Sequence, residues 1–457
     1  PATETASGQN GTAGETSTEY VPDIAKKNYN TTFNVVAIGF NQDLLILDED
    51  KKRDGNSLDE AVYERGVLVK EQLGVECEFA DAGDWISYSG KIANTVQTGD
   101  DAYQLVLTHV YQGVTDLVTS NSLMNFTDLP SVNLDAPYWN RNLMESLKVD
   151  DRYLLGYSDF CLSSTHCVVF NKDMLQNYRL EDPYALVNNK KWTVDKLFSL
   201  ASAVSEDNGD GKWDENDTYG FVTTWEYGNT FFIGSDLRYI LNDRTMDTPV
   251  LGLEDNMTKA LQVLATAKAI YHENNATFMS PPGEENRGLA CFKGGRAMFY
   301  SEIANYLPTL NKDMDGDYGV LPVPKYDKAQ QYYRTWTHES GSCLSITASV
   351  PEDIAEKVGK TIQYYAIFSS QEVKPAYYNI MLTSRNIRDA ESGEMLDLIF
   401  QNRVFDMAFY FADTFSFYNL FKNDVYKKDS NRFSSEYMSA KKSFPAQLRR
   451  VMRKLSK

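Results

Sequence analysis

Residues 206–217, "EDNGDGKWDEND", place six carboxylates in twelve residues, broken by two glycines and one tryptophan. Carboxylates packed this closely repel one another without a cation. Counting from Glu206, oxygen ligands fall at Glu206, Asn208 and Asp210, with Gly211 at the sixth place for a tight turn. The backbone carbonyl of Lys212 and the carboxylate of Asp214 follow. This alternation matches an EF-hand-type loop, because Ca²⁺ takes about six to eight hard oxygens around one sharp bend. Two positions depart from that pattern. Glu206 stands where an aspartate is usual, and Asp217 where a bidentate glutamate is usual, so Glu215 is expected to close the sphere. The alternative is a solvated acidic turn. Nothing nearby suggests an activated water, so the expected Ca²⁺ is structural, clipping a helix end to the next strand.

A second chemistry is written in aromatics beside acids. Trp225, Glu226 and Tyr227 sit together in "TTWEY", and Trp336 lies near His338 and Glu339. A sugar presents apolar C–H faces and rings of hydroxyls, so it is held by flat aromatics with carboxylate or amide groups at the edge. Trp192 and Trp213 are expected in the core instead. Other chemistries are absent from the pattern. The five cysteines show no CxxC pair and do not cluster with the four histidines, which argues against a zinc site or a disulfide framework. No phosphate-binding glycine loop, HExxH or GxSxG motif is present.

The elements that must position these residues alternate. "FNVVAIGF" (33–40) reads as a buried strand, 58–73 as a helix, and "VECEFA" (75–80) and "YQLVLTHVY" (103–111) as further strands. A second series starts at "CVVFNKDML" (167–175), passes a helix over 191–206 with Thr193 as N-cap, and reaches the strand 219–229. Helices are expected over 254–273, 351–379 and 394–420. Alternation of this kind builds parallel α/β sheets, whose ligands bind at the carboxyl ends of strands. There the first series offers Trp85, His109 and Tyr111.

The bulk numbers fit two or three lobes: 457 residues, 42% hydrophobic and 13% aromatic, with 29 Tyr and 23 Phe. A net charge of −19 would repel phosphate backbones, so nucleic acid is not an expected partner. No apolar run is long enough to span a membrane. The opening "PATETASGQNGTAGETSTEY" is too polar to pack and reads as a tether, expected to hang from an upstream lipid anchor. The basic end "RRVMRKLSK" reads as a solvated helix end.

The motifs, taken in order, resemble a family. "FNKDML", "FKGGRAMF" and "YGVLPVPKYDKAQ" are similar to segments of the extracellular solute-binding proteins of ABC importers, family 1, carbohydrate-binding and maltose-binding-protein-like, in the Gram-positive lipoprotein form. The resemblance covers residue 33 to about 450. It implies a periplasmic-binding-protein-like fold of two α/β lobes closing by a hinge, with a disordered tether over 1–32. One lobe would comprise 33–160 plus 345–385 and the other 161–344 plus 386–457, with crossings near 155–163, 337–346 and 383–390. It implies a monomer that is not an enzyme, captures a carbohydrate, expected to be an oligosaccharide, at the cell surface, and delivers it to an ABC permease. By motif position the ligand-binding residues would be His109, Tyr111, Ser164, Trp225, Glu226, Tyr227, Tyr300, Glu302 and Trp336, to which the strand order adds Trp85. The alternatives are a non-sugar solute such as a peptide, or a secreted glycoside hydrolase. Family members also carry calcium loops like the one at 206–217.

Overall fold

The β-branched run that begins the first series becomes strand β1 (Thr31–Ala37), and the computed structural model describes residues 26–38, 57–109, 112–129, 131–159, 165–273, 275–304, 307, 310, 314, 316–338, 342–382 and 390–455. Helix α1 (Ser57–Leu73) returns the chain to β2 (Val75–Asp81), which pairs in parallel with β1 over its whole length. β3 (Leu105–His109) joins the other edge of β1, also in parallel. Three parallel strands put their carboxyl ends on one edge, where the chain presents Trp85 just past β2 and His109 as the last residue of β3.

The second sheet has a mixed pattern. Its strands are β4 (His166–Asn171), β5 (Tyr219–Thr224), β6 (Thr277–Ser280), β7 (Ala297–Ile303) and β8 (Tyr318–Leu321), ordered β8-β4-β7-β5-β6. β5 runs parallel to β6 and β7, whereas β4 is antiparallel to both β7 and β8. Between β4 and β5 lies α2 (Val194–Ser202), and Thr193 is its N-cap as expected, its hydroxyl accepting from the Lys196 N–H at 3.3 Å. That bond satisfies one of the donors a helix start leaves open. α3 (Met257–His272) leads into β6.

The chain then returns to the first sheet. β9 (Thr335–Trp336) is followed by β10 (Ser342–Ile346), which lies antiparallel to β3 with Ser342 opposite His109. The chain thus reaches the first sheet at Ser342, within the crossing expected near 337–346. α4 (Glu352–Phe368) and α5 (Lys374–Leu382), joined by a π-helical turn, fill the expected 351–379 helix. The expected helix over 394–420 does not form as one element. α6 (Ala390–Gln401) stops because Arg403–Val404, as β11, pairs with β9. Buried Asp406 then caps a short helix at Met407–Tyr410 and also accepts from the N–H groups of Tyr239 and Ile240, at 2.6 and 3.2 Å. Burial lifts that carboxyl to about 6, against the pull of these donors.

The basic C-terminal stretch is the end of α7 (Phe433–Leu455), and it is not simply solvated. Val451 and Leu455 are buried, while Arg449, Arg450 and Arg453 face outward. At its start Phe433 meets Phe421 edge-on, and near its end the Lys454 carbonyl accepts from Asn121 at 2.8 Å. Trp192 is fully buried, its Nε1–H donating to the Pro322 carbonyl at 2.8 Å. Among the described residues no helix is long and apolar enough to cross a membrane. The described cysteines, Cys77, Cys167, Cys291 and Cys343, are unbridged, and burial pushes every thiol up, away from reactivity.

Candidate functional site

Strand directions decide what can meet. In the second sheet, β5 ends at Thr224 and turns directly into Trp225–Tyr227, while β7 carries Glu302 next to its end. Antiparallel β4 begins at that same edge, with His166 paired to Ile303. A bridge between Thr165 and Thr337 brings the crossing segment alongside, and the segment carries His338 on toward the end of β3. The carboxyl edges of both sheets thus converge on the crossing.

A buried aromatic cluster occupies this junction. The His166 ring stacks on Trp336, with centroids 4.5 Å apart and planes 9° apart, and meets Tyr227 edge-on at 4.6 Å. His338 lies 5.5 Å from His166 and 5.2 Å from Trp336. Behind it, Glu302 accepts from the Tyr227 hydroxyl at 2.5 Å, from the Tyr300 hydroxyl, and from the backbone N–H of Ile303 at 2.8 Å. Burial raises the Glu302 carboxyl above its ordinary value, and the two phenols pull it back. The imidazoles shift the other way. Burial, helped by His338, lowers His109 to about 4. Burial also lowers His338 to about 4, with Glu226 opposing and Lys422 assisting. His166 is held well below the usual range by burial first and His338 second. All three are neutral at neutral pH, so they can offer one donor and one acceptor each instead of a charge.

The more open wall is aromatic and charged. Trp225 is half-buried, its Nε1–H reaching Glu285 at 3.4 Å and its ring 6.1 Å from Tyr426. The Lys422 ammonium lies 4.9 Å from the Trp225 ring and 4.0 Å from that of Tyr418. Across the junction Trp85 is 41% exposed, with its ring 6.0 Å from His109.

The sequence-derived set divides accordingly. Trp85, His109, Trp225, Glu226 and Tyr227 do come to the converging edges. Tyr111 and Ser164 lie outside the described residues, as do 160–163 and 383–389 of the expected crossings. Tyr300 is a correction: it is 1% exposed, stacks on Phe292 and belongs to the packed layer, where its role is to hold Glu302. Trp336 is likewise 1% exposed, because its face is taken by His166. Glu302 and Tyr227 are buried behind the surface and position it. His166, Tyr418 and Lys422 are absent from the sequence-derived set, and His338 enters it only as a neighbour of Trp336. For the histidines, the only signal was proximity to "TWTHE" and to the start of β4; Lys422 and Tyr418 gave none.

The 206–217 loop is built from turns closing on themselves. Asn208 and Asp210 each accept from the backbone N–H two residues on, at 3.0 and 2.8 Å, and Asp214 accepts from Asn216 at 2.8 Å. Asp217, which stands where a bidentate glutamate is usual, is the fully buried centre of the loop. Its two oxygens accept from the N–H groups of Asn208 and Asp214, at 2.8 and 2.6 Å. Glu215 is turned away to Arg287, and Glu206 to the Tyr178 hydroxyl. Among the described residues no three His, Cys, Asp or Glu side chains converge as a metal cage. The second carboxylate oxygens of Asp210 and Asp214, the remaining lone pair of Asn208 Oδ1 and the Lys212 carbonyl are hard donors suited to Ca²⁺; Glu206 and Glu215 are committed elsewhere. Trp213, expected in the core, is 39% exposed and leans on Tyr219 at 5.5 Å, because the loop it rides on stands off the sheet.

No family model matches the sequence, and no curated protein matches it significantly. Solved structures do. The GacH receptor of Streptomyces glaucescens GLA.O, described unliganded and in complex with acarbose, is 13% identical with a TM-score of 0.58, over 92% of this chain and 98% of that one. The maltose-maltodextrin binding protein of Alicyclobacillus acidocaldarius is 13% identical with a TM-score of 0.55, over 92% and 100%. The ABC substrate-binding protein Lmo0181 of Listeria monocytogenes, in complex with cycloalternan, is 12% identical with a TM-score of 0.54, over 93% and 99%. The two α/β lobes are therefore those of the solute-binding-protein fold, along nearly the whole chain.

Proposed function

We propose that this chain, built on the fold of sugar-binding proteins, captures a carbohydrate outside the cell and delivers it to an ABC permease. The observation that carries the reading is the convergence of both sheets' carboxyl edges on one junction. There Trp85 and Trp225 offer stacking faces, and Glu226, Glu285 and the neutral His109 and His338 imidazoles offer hydrogen bonds to hydroxyls. An oligosaccharide suits two aromatic walls better than one, because each ring face must be shielded from water. The protein acts as a monomer, without catalysis, and is held at the outer face of the membrane by a lipid anchor upstream of its polar N-terminal stretch. A structural Ca²⁺ in the 206–217 loop, held by Asn208, Asp210, the Lys212 carbonyl and Asp214 with waters completing its sphere, would pin α2 to β5. The test is titration calorimetry against a panel of neutral oligosaccharides, followed by recovery and sizing of the ligand. Saturable binding with the glycan returned intact supports the reading. Released product would make the protein a glycoside hydrolase, and binding of peptides alone would make it a receptor for another solute.

A further inference from the structure

A separate cavity, of about 400 Å³, opens where segments of both lobes meet outside the aromatic cluster. Its walls are the segment 134–142, Asp159, Arg244, and parts of α5, α6 and β11, and it shares no residue with the site described above. Segment 134–142 belongs with the first lobe, since Trp139 donates through Nε1 to Gln363 of α4 at 3.1 Å. α6 belongs with the second, since its Ser392 is 2.8 Å from the Tyr184 hydroxyl.

Four cations surround this space in a chain whose net charge is −19. Arg141 is committed: it pairs with Asp135 at 2.7 Å and Glu145 at 3.2 Å. The other three are not answered so well. Arg244, with its side chain 64% exposed, approaches among the described carboxylates only Asp135, at 4.0 Å, an acid Arg141 already uses. Lys374 stands 3.5 Å from Asp159. Arg403 gives Nε–H to the Phe400 carbonyl at 3.0 Å and an Nη1–H to the Tyr157 hydroxyl at 3.2 Å, with its guanidinium over both rings. Among the described residues no carboxylate lies within ion-pair distance of Arg403. The remaining acid of the cavity, Asp397, hydrogen-bonds the Tyr378 hydroxyl. A half-buried guanidinium locked by two rings and met only by neutral oxygens is a preorganised fork with donors to spare.

We propose that this cavity is a second ligand site, for a small anion bearing a carboxylate or phosphate group, gripped by Arg403 and Lys374 with Arg244 closing over it. Its volume lies at the low end of the range for small-molecule sites. The proposal is independent of the carbohydrate reading. Titration calorimetry of the whole chain at fixed ionic strength, with inorganic phosphate and separately with citrate, tests it. One saturable event is expected for at least one anion, and the responding anion identifies the group. Arg403→Gln should weaken it at least about tenfold, the scale of losing one charge-assisted pair. Because Arg403 also packs on Tyr157 and Phe400, Arg244→Gln provides a second test on a side chain that supports no core; it should weaken binding a few-fold. Weakening in either variant supports the site. The proposal is overturned if neither anion gives saturable heat up to about 10 mM, a Kd beyond which binding is weaker than about 3 kcal/mol, or if both variants bind as the unaltered chain does.

Discussion

The acidic loop and the lobe junction answer the same problem, polar groups that must be satisfied, in opposite ways. In the loop, Asn208, Asp210 and Asp214 bond to N–H groups two residues on, in water, within one short stretch of chain. At the junction, His109, His166, His338, Tyr227 and Glu302 arrive from separate strands and a crossing segment, lose their solvent, and are held neutral or doubly bonded by each other. Local order of the first kind is weak individually and tolerant of change. Assembled order of the second kind is buried, coupled and sensitive to every member.

The sharpest way to break the contrast is Trp336→Ala. Truncating a fully buried tryptophan stacked on His166 should cost about 3–5 kcal/mol of stability, read by denaturant unfolding; a loss under about 1 kcal/mol would mean the junction is not packed as described. Trp225→Ala comes next. It should keep the fold and weaken carbohydrate binding by about 2 kcal/mol, the scale of one stacked anchor. Unchanged affinity by calorimetry would remove Trp225 from the site.

The imidazoles give a pH test. His109 has an ordinary value of 6.5 and sits at about 4 in the fold, so the unfolded chain takes up a proton first as the pH falls. Its contribution to stability is full above about 6.5 and is lost progressively down to about 4. Glu302 and Asp406, both raised by burial, act in the opposite sense, so the difference between variants is the clean readout. His109→Gln should therefore fall less steeply than the unaltered chain between pH 6.5 and 4, by about 1.4 kcal/mol per pH unit. Identical slopes in urea melts at pH 7 and pH 5 would show that His109 is not desolvated.

The smallest effect belongs to the loop. Asp210→Ala should cost about 1 kcal/mol or less in the absence of metal, and in calcium it should also abolish the rise in Tm that a bound ion gives by mass action. Sugar affinity should not change. If EDTA leaves the melting of the unaltered chain untouched, the loop is an acidic turn held by its own N–H groups.

What the sequence by itself determined is what depends on neighbours along the chain. The β-branched runs, the Thr193 cap, the alternation of strand and helix and the acid–glycine spacing of the loop are all local, and each appears where its residues place it. The ends of β3 and β5 could be read as ligand positions because parallel strands expose their carboxyl ends whatever their partners are. The tertiary structure decided which groups face solvent and which become one another's surroundings. Tyr300 and Glu302 share one strand, yet the carboxylate's burial depends on Tyr227 arriving from another. Trp213 and Trp336 look alike in sequence; one is left outside on a loop and the other is covered by His166, a ring whose placement requires antiparallel pairing of β4 with β7. α6 ended at Gln401 against its own helical pattern because β9 offered Arg403–Val404 a strand partner, and pairing across the fold outweighs a periodicity that only describes one face of a helix.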